Sequence, residues 1–364
     1  MANIPLGKSL KPAFSFIKNL VDNKAGDSKF SNKDVNGKID KDFNQGHLGD
    51  CALLSTLYGF SRTKEGAQAI EDALVELTGD DGEAIGYQVT FDKGDDDKSN
   101  DETYTISRAE LEVAKKGTSG RQYATGDDDV TILELALEKS FNQSQDPVLR
   151  NLVDNYTSVN AEDKLNGVNP ASITYLFTGD ASSNYLVRPE DSISGRFTPV
   201  LDIETQDLNG GTVKFQNGVT YKMSMAKDGS YVLAKNLQND EEIKIGYNDF
   251  MSKVLKPDAQ KSKEDTQKLF NNFNPEKEML LFATNTGNTI IGKNSDGSPV
   301  TGVDVMGADG KNVQLIAPHA YAVRSVNNGI VTLMDPNNSS NVIQVKQESL
   351  LGLEKFHAYS LPTE

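Results

Sequence analysis

The spacing of hydrophobic residues differs between the two halves of this chain, and that difference limits the folds open to it. In the first half, apolar residues recur at helical intervals, which predicts helices over residues 51–58, 65–77 and 132–141. Alternating segments at 86–91 and 103–106 predict one hairpin. The second half carries short β-prone segments separated by Asn, Gly and Asp turns, at residues 212–215, 219–225, 231–234, 242–245, 279–283, 320–326 and 330–334. One helix is predicted among them, at residues 259–270. We therefore expect an α+β protein.

A polar, loop-like stretch at residues 158–170 separates the two halves. We expect it to join a helix-rich lobe to a β-rich lobe. The 364 residues of the chain are enough for two compact lobes with sizeable cores. Lobes of different architecture meet at a cleft, and a cleft is where a substrate would be held.

Composition and charge limit the classes of partner and the cellular location that we expect for this protein. A formal net charge of −16 and a pI near 4.7 disfavour nucleic acid and acidic membrane surfaces as partners. No apolar run reaches the length of about 18 residues that a transmembrane helix needs. The first twenty residues also lack an apolar segment long enough for a secretory signal. We expect a cytoplasmic protein, or one exported by a route that uses no signal peptide.

The chain has one cysteine, Cys51, which rules out an internal disulfide and a cysteine-rich zinc site. Cys51 stands at the start of a predicted helix, where the peptide dipoles favour the thiolate, the reactive form of the thiol. Gln45 lies six residues upstream, and Gly46 and Gly49 lie in the loop between them. Such a loop can bring the Gln45 side-chain amide and the Cys51 backbone N–H to the same oxyanion.

A catalytic thiol needs a base that holds it as a thiolate and later protonates the leaving amine. The histidines are His47, His319 and His357. His47 lies within the loop that follows Gln45, and His357 lies in a C-terminal segment that is typical of a structural role. His319 begins an apolar strand and is therefore the best candidate. Asp335 ends the next predicted strand, where an antiparallel pairing would place its carboxylate beside the imidazole and orient the ring.

Several motifs, in order along the chain, resemble the catalytic domain of the calpain family of papain-like cysteine proteases. Residues 45–51 (QGHLGDC) resemble its active-site cysteine motif, 319–323 (HAYAV) its histidine motif, and 333–336 (LMDP) the segment that carries its third catalytic residue. Shorter landmarks follow the same order at residues 137–139, 166–167, 177–179 and 348–361. The resemblance covers roughly residues 35–361.

The resemblance implies a papain-like fold with a helical thiol lobe at residues 35–164 and a β-rich histidine lobe at 165–364. Residues 1–34 would then be an N-terminal extension, and residues 185–258 an insertion into the second lobe. By the same resemblance, this is an endopeptidase that acts on protein or peptide substrates.

The resemblance also assigns roles to site residues. Cys51 would be the nucleophile, His319 the general base and acid, and Gln45 the oxyanion donor. Asp335 falls where the family has asparagine, which changes the expected stability of the thiolate–imidazolium pair and the pH optimum. The chain has no tryptophan, and Ala52 and Asn337 stand where the family places one. The contact of His319 with Asp335 is therefore expected to be wetter than usual or shielded by another group.

A calcium site is implied by the same resemblance. The spacing of residues 35–43 before Gln45 matches a calcium site of the calpain core, with the Val35 and Gly37 carbonyls and the Asp42 carboxylate as ligands. The family's remaining glutamate falls at about Thr131, so that ligand is missing. The adjacent run of aspartates at 127–129 is a candidate substitute.

Two other functions remain open from the sequence. The same thiol, imidazole and carboxylate could transfer an acyl group to an amine or deamidate glutamine, as transglutaminase-like proteins do, and an aspartate at position 335 favours this reading slightly. A non-catalytic binding module that kept the fold is the other alternative, and the missing tryptophans favour it weakly. Reaction of Cys51 with an electrophilic thiol probe would separate an enzyme from a binding module.

Overall fold

The computed structural model describes most of the chain beyond its N-terminal segment. The described residues are 30, 35–94, 98–118, 121–154, 164–179, 183–187, 212–214, 220–225, 231–246, 259–284, 287–294, 297–353 and 356–362. The predicted extension at residues 1–34, apart from Phe30, lies outside them.

The described helices concentrate in the first half of the chain. They are α1 (Cys51–Ser61), α2 (Lys64–Ala73), α3 (Arg108–Lys116), α4 (Asp128–Gln143), α5 (Pro147–Asp154), α6 (Pro170–Thr178), α7 (Ala259–Asn272) and α8 (Gln347–Leu351). Among all the described residues, no helix is both long and apolar enough to cross a membrane.

The described strands form four sheets, and each strand in them pairs antiparallel with its neighbours. A three-stranded sheet of the first half contains β1 (Leu74–Thr78), β2 (Ala84–Phe91) and β3 (Glu102–Ser107). The four-stranded sheet contains β5 (Thr212–Lys214), β6 (Thr220–Met225), β7 (Tyr231–Asn236) and β8 (Glu242–Gly246). Another three-stranded sheet contains β10 (Thr289–Lys293), β11 (Pro299–Met306) and β12 (Asn312–Ile316).

The central sheet of the second half has six strands in the order β15-β14-β13-β9-β16-β4. Their bounds are β4 (Ser183–Val187), β9 (Glu278–Thr284), β13 (His319–Asn327), β14 (Ile330–Asp335), β15 (Asn338–Lys346) and β16 (Phe356–Pro362). The protein is thus a mixed α+β structure, with a helical N-terminal part and antiparallel, β-rich C-terminal sheets, as the patterning predicts.

The inner strands of the central sheet are buried on both faces, which explains their nearly continuous apolar sequences. In β9, Met279 and Leu281 belong to the core that contains the helices of the first half. Leu280 and Phe282, which alternate with them, belong to a second core that also contains Phe270 of α7. This two-sided burial fits the period of two in a strand, because successive side chains point to opposite faces.

Helix α1 packs against the first face of the central sheet. Its sequence, CALLSTLYGFS, is apolar on most sides, which is typical of a buried helix, and Leu53, Leu54 and Leu57 have no exposed surface. Gly59 permits the close approach, since a Cβ at that position would lie 3.0 Å from Cγ of Met279 in β9. The start of α1 is thereby held beside the strands that carry the predicted histidine and aspartate.

One predicted helix ends earlier than expected. The prediction of a helix over residues 65–77 is wrong beyond Ala73, where α2 ends and strand β1 begins. Leu74 and Glu76 are buried while Val75 is exposed, and β1 pairs along its whole length with β2. Alternating burial and cross-strand hydrogen bonds favour a strand here over the helical spacing that these residues share with α2. The predicted hairpin is confirmed as the pairing of β2 with β3.

Candidate active site

Cys51 is the first residue of α1, as the sequence predicts, and it is partly exposed. The first backbone hydrogen bond of the helix runs from the N–H of Leu54 to the carbonyl of Asp50, at 3.0 Å. One turn further on, the Ser55 hydroxyl donates to the carbonyl of Ala320 in β13, at 3.0 Å. The thiol therefore sits at a helix start that is tied to the strand of His319.

His319 begins β13 and is buried, with 7% of its surface exposed. The hydroxyl of Thr284 accepts the His319 backbone N–H at 3.1 Å and itself lies 2.7 Å from the carbonyl of Ile316, to which it donates. Thr284 ends β9, next to β13 in the sheet, so it fixes the edge from which the imidazole projects. No sequence signal singled out Thr284.

Cys51, His319 and Asp335 are brought together at this edge. The His319 ring nitrogen Nε2 lies 2.9 Å from Oδ1 of Asp335, and the thiol of Cys51 lies close enough to interact with the same ring. Because Nε2 is engaged by the carboxylate, Nδ1 is the nitrogen left to face the sulfur. This is the order of contacts expected of a thiol, its base and the group that orients the base.

The pKa of His319 is raised to about 9. Burial by itself lowers this pKa, because it disfavours the imidazolium, but the hydrogen bonds to Asp335 and Cys51 and their negative charges outweigh the burial. The base is therefore held as an imidazolium at neutral pH, which is the partner that a thiolate requires.

The contact of His319 with Asp335 is shielded although the chain lacks tryptophan. The two side chains are 6% and 10% exposed. The ring of Tyr321 lies edge-on to the imidazole, with 4.8 Å between ring centroids. The backbone N–H of Asn337 donates to Oδ1 of Asp335 at 2.9 Å. The side-chain amide nitrogen of Asn337 lies 3.4 Å from Nε2 of His319. Of the two expectations for this contact, shielding by other groups is the one observed.

Gln45 lies where the loop before Cys51 meets the β-rich part. Its backbone N–H donates to the carbonyl of Pro336 at 2.8 Å, directly after Asp335. Its side-chain Nε2 donates to the carbonyl of Leu48 at 2.6 Å, so the nitrogen rather than the oxygen must face that carbonyl. The amide nitrogen carries a second N–H, which is the donor that an oxyanion site needs.

The loop between Gln45 and Cys51 is packed too tightly for side chains at its glycines. A Cβ on Gly46 would lie 1.9 Å from the carbonyl oxygen of Gln122, and one on Gly49 would lie 2.6 Å from Oδ1 of Asn166. The Gly49 N–H donates to that same Asn166 oxygen at 2.6 Å. The sequence marked Asn166 only as a landmark, whereas the structure places it as a support of the oxyanion loop.

A buried pair of acids lies behind the same loop and was not predicted. Asp50 and Glu134 both have no exposed surface, and their carboxyl groups lie close enough to interact. Burial, followed by the charge of Asp50 and the contact between the two carboxyl groups, raises the pKa of Glu134 well above its ordinary value. A glutamate among the apolar residues of α4 (residues 128–143) was the signal that could have revealed it.

The predicted calcium ligands lie in a loop that wraps around two aspartates. The N–H groups of Asn36 and Gly37 donate to the two carboxylate oxygens of Asp129, at 3.0 and 2.9 Å. The Lys41 N–H donates to Asp127 at 3.1 Å. Burial and the charges of neighbouring aspartates raise the pKa of Asp129 to about 7, although its backbone hydrogen bonds oppose the rise.

The fit of this loop to calcium is incomplete. Val35 is buried and the Asp42 side chain is exposed. Thr131, at the position of the missing glutamate, donates its hydroxyl to the carbonyl of Ala124 at 2.8 Å. In the part of the chain that the structure describes, no group of three or more His, Cys, Asp or Glu side chains is placed to hold a metal ion. The oxygen donors suit Ca²⁺ in kind, but the side chains do not complete a site.

The other two histidines, His47 and His357, are not among the residues that the structure brings together with Cys51. His47 lies in the oxyanion loop with its side chain exposed, and its backbone N–H donates to the carbonyl of Gln122 at 3.0 Å. His357 lies in β16, and its side chain is outside the described residues.

Compared with protein-family models, curated proteins and solved structures, the chain has no significant match. The resemblance to the calpain family therefore rests on the sequence motifs alone.

Proposed function

We propose that this protein is a calpain-like cysteine endopeptidase with a papain-like fold and a catalytic triad of Cys51, His319 and Asp335. The observation that carries the proposal is the position of the His319 ring, between the Cys51 thiol and the Asp335 carboxylate. These residues come from three separate segments of the chain, because Gln45 and Cys51 share one loop. A buried imidazole with a thiol on one side and a carboxylate on the other has little structural purpose, since apolar residues would fill the space at lower cost.

The reaction follows from the positions of these groups. The Cys51 thiolate attacks the carbonyl carbon of a peptide bond, and the negative charge moves to the carbonyl oxygen. The Cys51 backbone N–H and the second N–H of Gln45 Nε2 stabilise that oxyanion. The His319 imidazolium gives its proton to the leaving amine as the C–N bond breaks. Water, deprotonated by the neutral imidazole, then attacks the thioester and releases the acid and the thiol.

Asp335 orients His319 and stabilises its charged form, a role that asparagine performs in the calpain family by orientation alone. A negative charge there favours the thiolate–imidazolium pair over the neutral pair. It is also the observation that favours a second candidate, acyl transfer from glutamine with release of ammonia, because a Cys-His-Asp triad is the arrangement of transglutaminase-like enzymes.

One experiment separates the candidates. The purified protein is incubated with iodoacetamide at pH 7, and separately with an unfolded protein substrate whose products are analysed by mass spectrometry and ammonia assay. New peptide termini that disappear in Cys51→Ala support the endopeptidase. Ammonia release without cleavage supports acyl transfer instead. A Cys51 thiol no more reactive than free cysteine, with neither product formed, overturns both and leaves a binding module.

Calcium belongs to the proposal as a ligand of the loop at residues 35–42, with the Val35 and Gly37 carbonyls and the Asp42 carboxylate as donors. Its support is the concentration of negative charge beside that loop, which a divalent cation would relieve. Because the ligand set is incomplete, no step of the reaction is derived from it.

A further inference from the structure

The carboxyl groups of Asp50 and Glu134 lie in contact directly behind the residue proposed as nucleophile. Asp50 immediately precedes α1, and Glu134 projects from α4; neither has any exposed surface. Two ionised carboxylates in a buried contact would repel each other, so this contact favours a proton on one of them.

The surroundings of Glu134 keep that proton on it. Burial disfavours its ionised form, and the negative charges of Asp50 and of Glu138 add to the effect. Glu138 faces it from the next turn of α4 and is itself paired with Arg121 and with the hydroxyl of Tyr123. The one opposing contact is the Ala124 N–H, which donates to Oε2 of Glu134 at 2.8 Å. These surroundings favour the protonated form of Glu134.

The second observation concerns the end of α1 itself. An aspartate just before a helix ordinarily accepts a backbone N–H of the first turn. The residues before α2, α3, α4 and α6 do this with their side chains; they are Thr63, Ser107, Asp127 and Asn169. Asp50 makes no such bond, and its backbone, at φ −102° and ψ 21°, is not in the extended conformation of those four.

These two observations have a common explanation. We infer that Glu134 holds the Asp50 carboxylate away from the first turn of α1, so that the N–H groups of that turn stay available to the thiolate and the oxyanion. Asp50 and Glu134 are positioning residues under this inference, which rests on the proposed catalytic role of Cys51.

The alternative position of the Asp50 side chain would oppose catalysis in two ways. A carboxylate that capped α1 would accept N–H groups of the first turn and cancel part of the positive end of the helix dipole. It would also place a negative charge beside Cys51, which disfavours the thiolate. The proton on Glu134 prevents both effects because it gives the Asp50 carboxylate a better partner.

The test compares variants of Glu134 that differ in one property. Glu134→Gln keeps a donor for Asp50 and an acceptor for the Ala124 N–H, whereas Glu134→Ala and the bulkier Glu134→Met remove the donor. The measurements are the rate constant for alkylation of Cys51 by iodoacetamide from pH 5 to 9, and kcat and KM for peptide cleavage. We expect Glu134→Gln to match the wild type. We expect Glu134→Ala and Glu134→Met to lower alkylation at pH 6 by about 10-fold, with an equal loss in kcat and little change in KM.

A second substitution distinguishes charge from packing. Adding Asp50→Asn to Glu134→Met removes the misplaced charge, so alkylation at pH 6 should recover most of the loss, which damaged packing would not. Ser140→Ala serves as the matched control, since it removes a buried hydrogen bond of α4 to Glu102 without touching the acid pair. Circular dichroism checks that each variant is folded.

Each outcome has a distinct meaning. Unchanged alkylation in Glu134→Met, or a loss that Asp50→Asn does not restore, overturns the inference while a reactive wild-type thiol leaves the proposed enzyme intact. An unreactive wild-type Cys51 overturns the proposed function, and the inference falls with it.

Discussion

Two buried polar pairs flank Cys51, and in each pair the pKa of one member is raised. The physical cause of the rise differs between the two pairs. On the side of the central sheet, His319 is paired with Asp335, and the pKa of the base is raised by its partners in spite of burial. On the helical side, Glu134 is paired with Asp50, and the pKa of the acid is raised first by burial itself. The raised pKa keeps His319 protonated at neutral pH as a cation, whereas the raised pKa of Glu134 favours its neutral form.

The difference shows how one environment can serve two needs. Under the proposed mechanism, the Cys51 thiolate needs a nearby positive charge, which is the role of the first pair. It also needs negative charge kept at a distance, which is the role we infer for the second pair. Low-dielectric burial makes both effects larger than they would be in water. Substitutions in the His319–Asp335 pair and in the Asp50–Glu134 pair can test these two effects separately.

The largest expected effect comes from removing the base. His319→Gln should lower kcat/KM for peptide cleavage by about 10³-fold, within the range that a positioned proton-transfer group contributes. His47→Gln, the matched control with an exposed side chain in the same region, should cleave at the wild-type rate. Equal activity of wild type and His319→Gln would remove His319 from the mechanism.

The next effect concerns the charge of Asp335. Below a pH of about 9 His319 is protonated, so activity should persist to about that pH and fall above it. Asp335→Asn removes the negative charge, which lowers the pKa of His319 and moves the alkaline limb of kcat/KM to lower pH. At pH 10, which lies above both alkaline limbs, the rate should fall by about 10-fold for each unit of that displacement. An alkaline limb at the same pH in both proteins would show that Asp335 does not tune the base.

The two pairs should also differ in how they affect stability. His319 has a folded pKa of about 9 against an ordinary value of 6.5, so its stabilising contribution is complete below pH 6.5 and is lost as the pH rises through about 9. Glu134 has a folded pKa raised above its ordinary 4.5, so the folded state loses stability as the pH rises above 4.5.

Glu134→Gln removes that second dependence and leaves the first. Its thermal midpoint, measured by scanning calorimetry, should equal that of the wild type at pH 4 and exceed it at pH 7 by a few degrees, on the order of 3 °C. Glu112→Gln, which changes an exposed glutamate of α3, is the control. A constant difference between wild type and Glu134→Gln from pH 4 to 7 would contradict a buried, protonated Glu134.

The smallest effect is expected from calcium. The aspartates beside the loop at residues 35–42 are a third group with raised pKa, and here a cation rather than a proton could neutralise the charge. Millimolar Ca²⁺ should raise the thermal midpoint by about 2 °C, as ligand binding to the folded state does, and Asp42→Asn should abolish the rise. Asp81→Asn, in an exposed turn, should retain it. Chelation that changes neither activity nor thermal midpoint removes calcium from the proposal.

Much of the site was predictable because its chemistry depends on residue type and local spacing. The loop of Gln45, the helix start at Cys51 and the strand start at His319 are all local features, and the structure places them as predicted. The supports of these residues were not predictable. Thr284, Asn166 and the Tyr321 ring act through contacts with residues far away in sequence, and no local pattern distinguishes them from ordinary polar or core residues.

By itself, the sequence determined the α+β composition, the order of helices and strands at the site, and the candidates for nucleophile, base and oxyanion donor. These follow from periodicity and side-chain chemistry, which are properties of short segments. Only the tertiary structure decided that residues 74–77 form a strand, that the His319–Asp335 contact is shielded, and that Asp50 meets Glu134. Burial and long-range pairing set these outcomes, because the protonation state of an acid depends on what surrounds it.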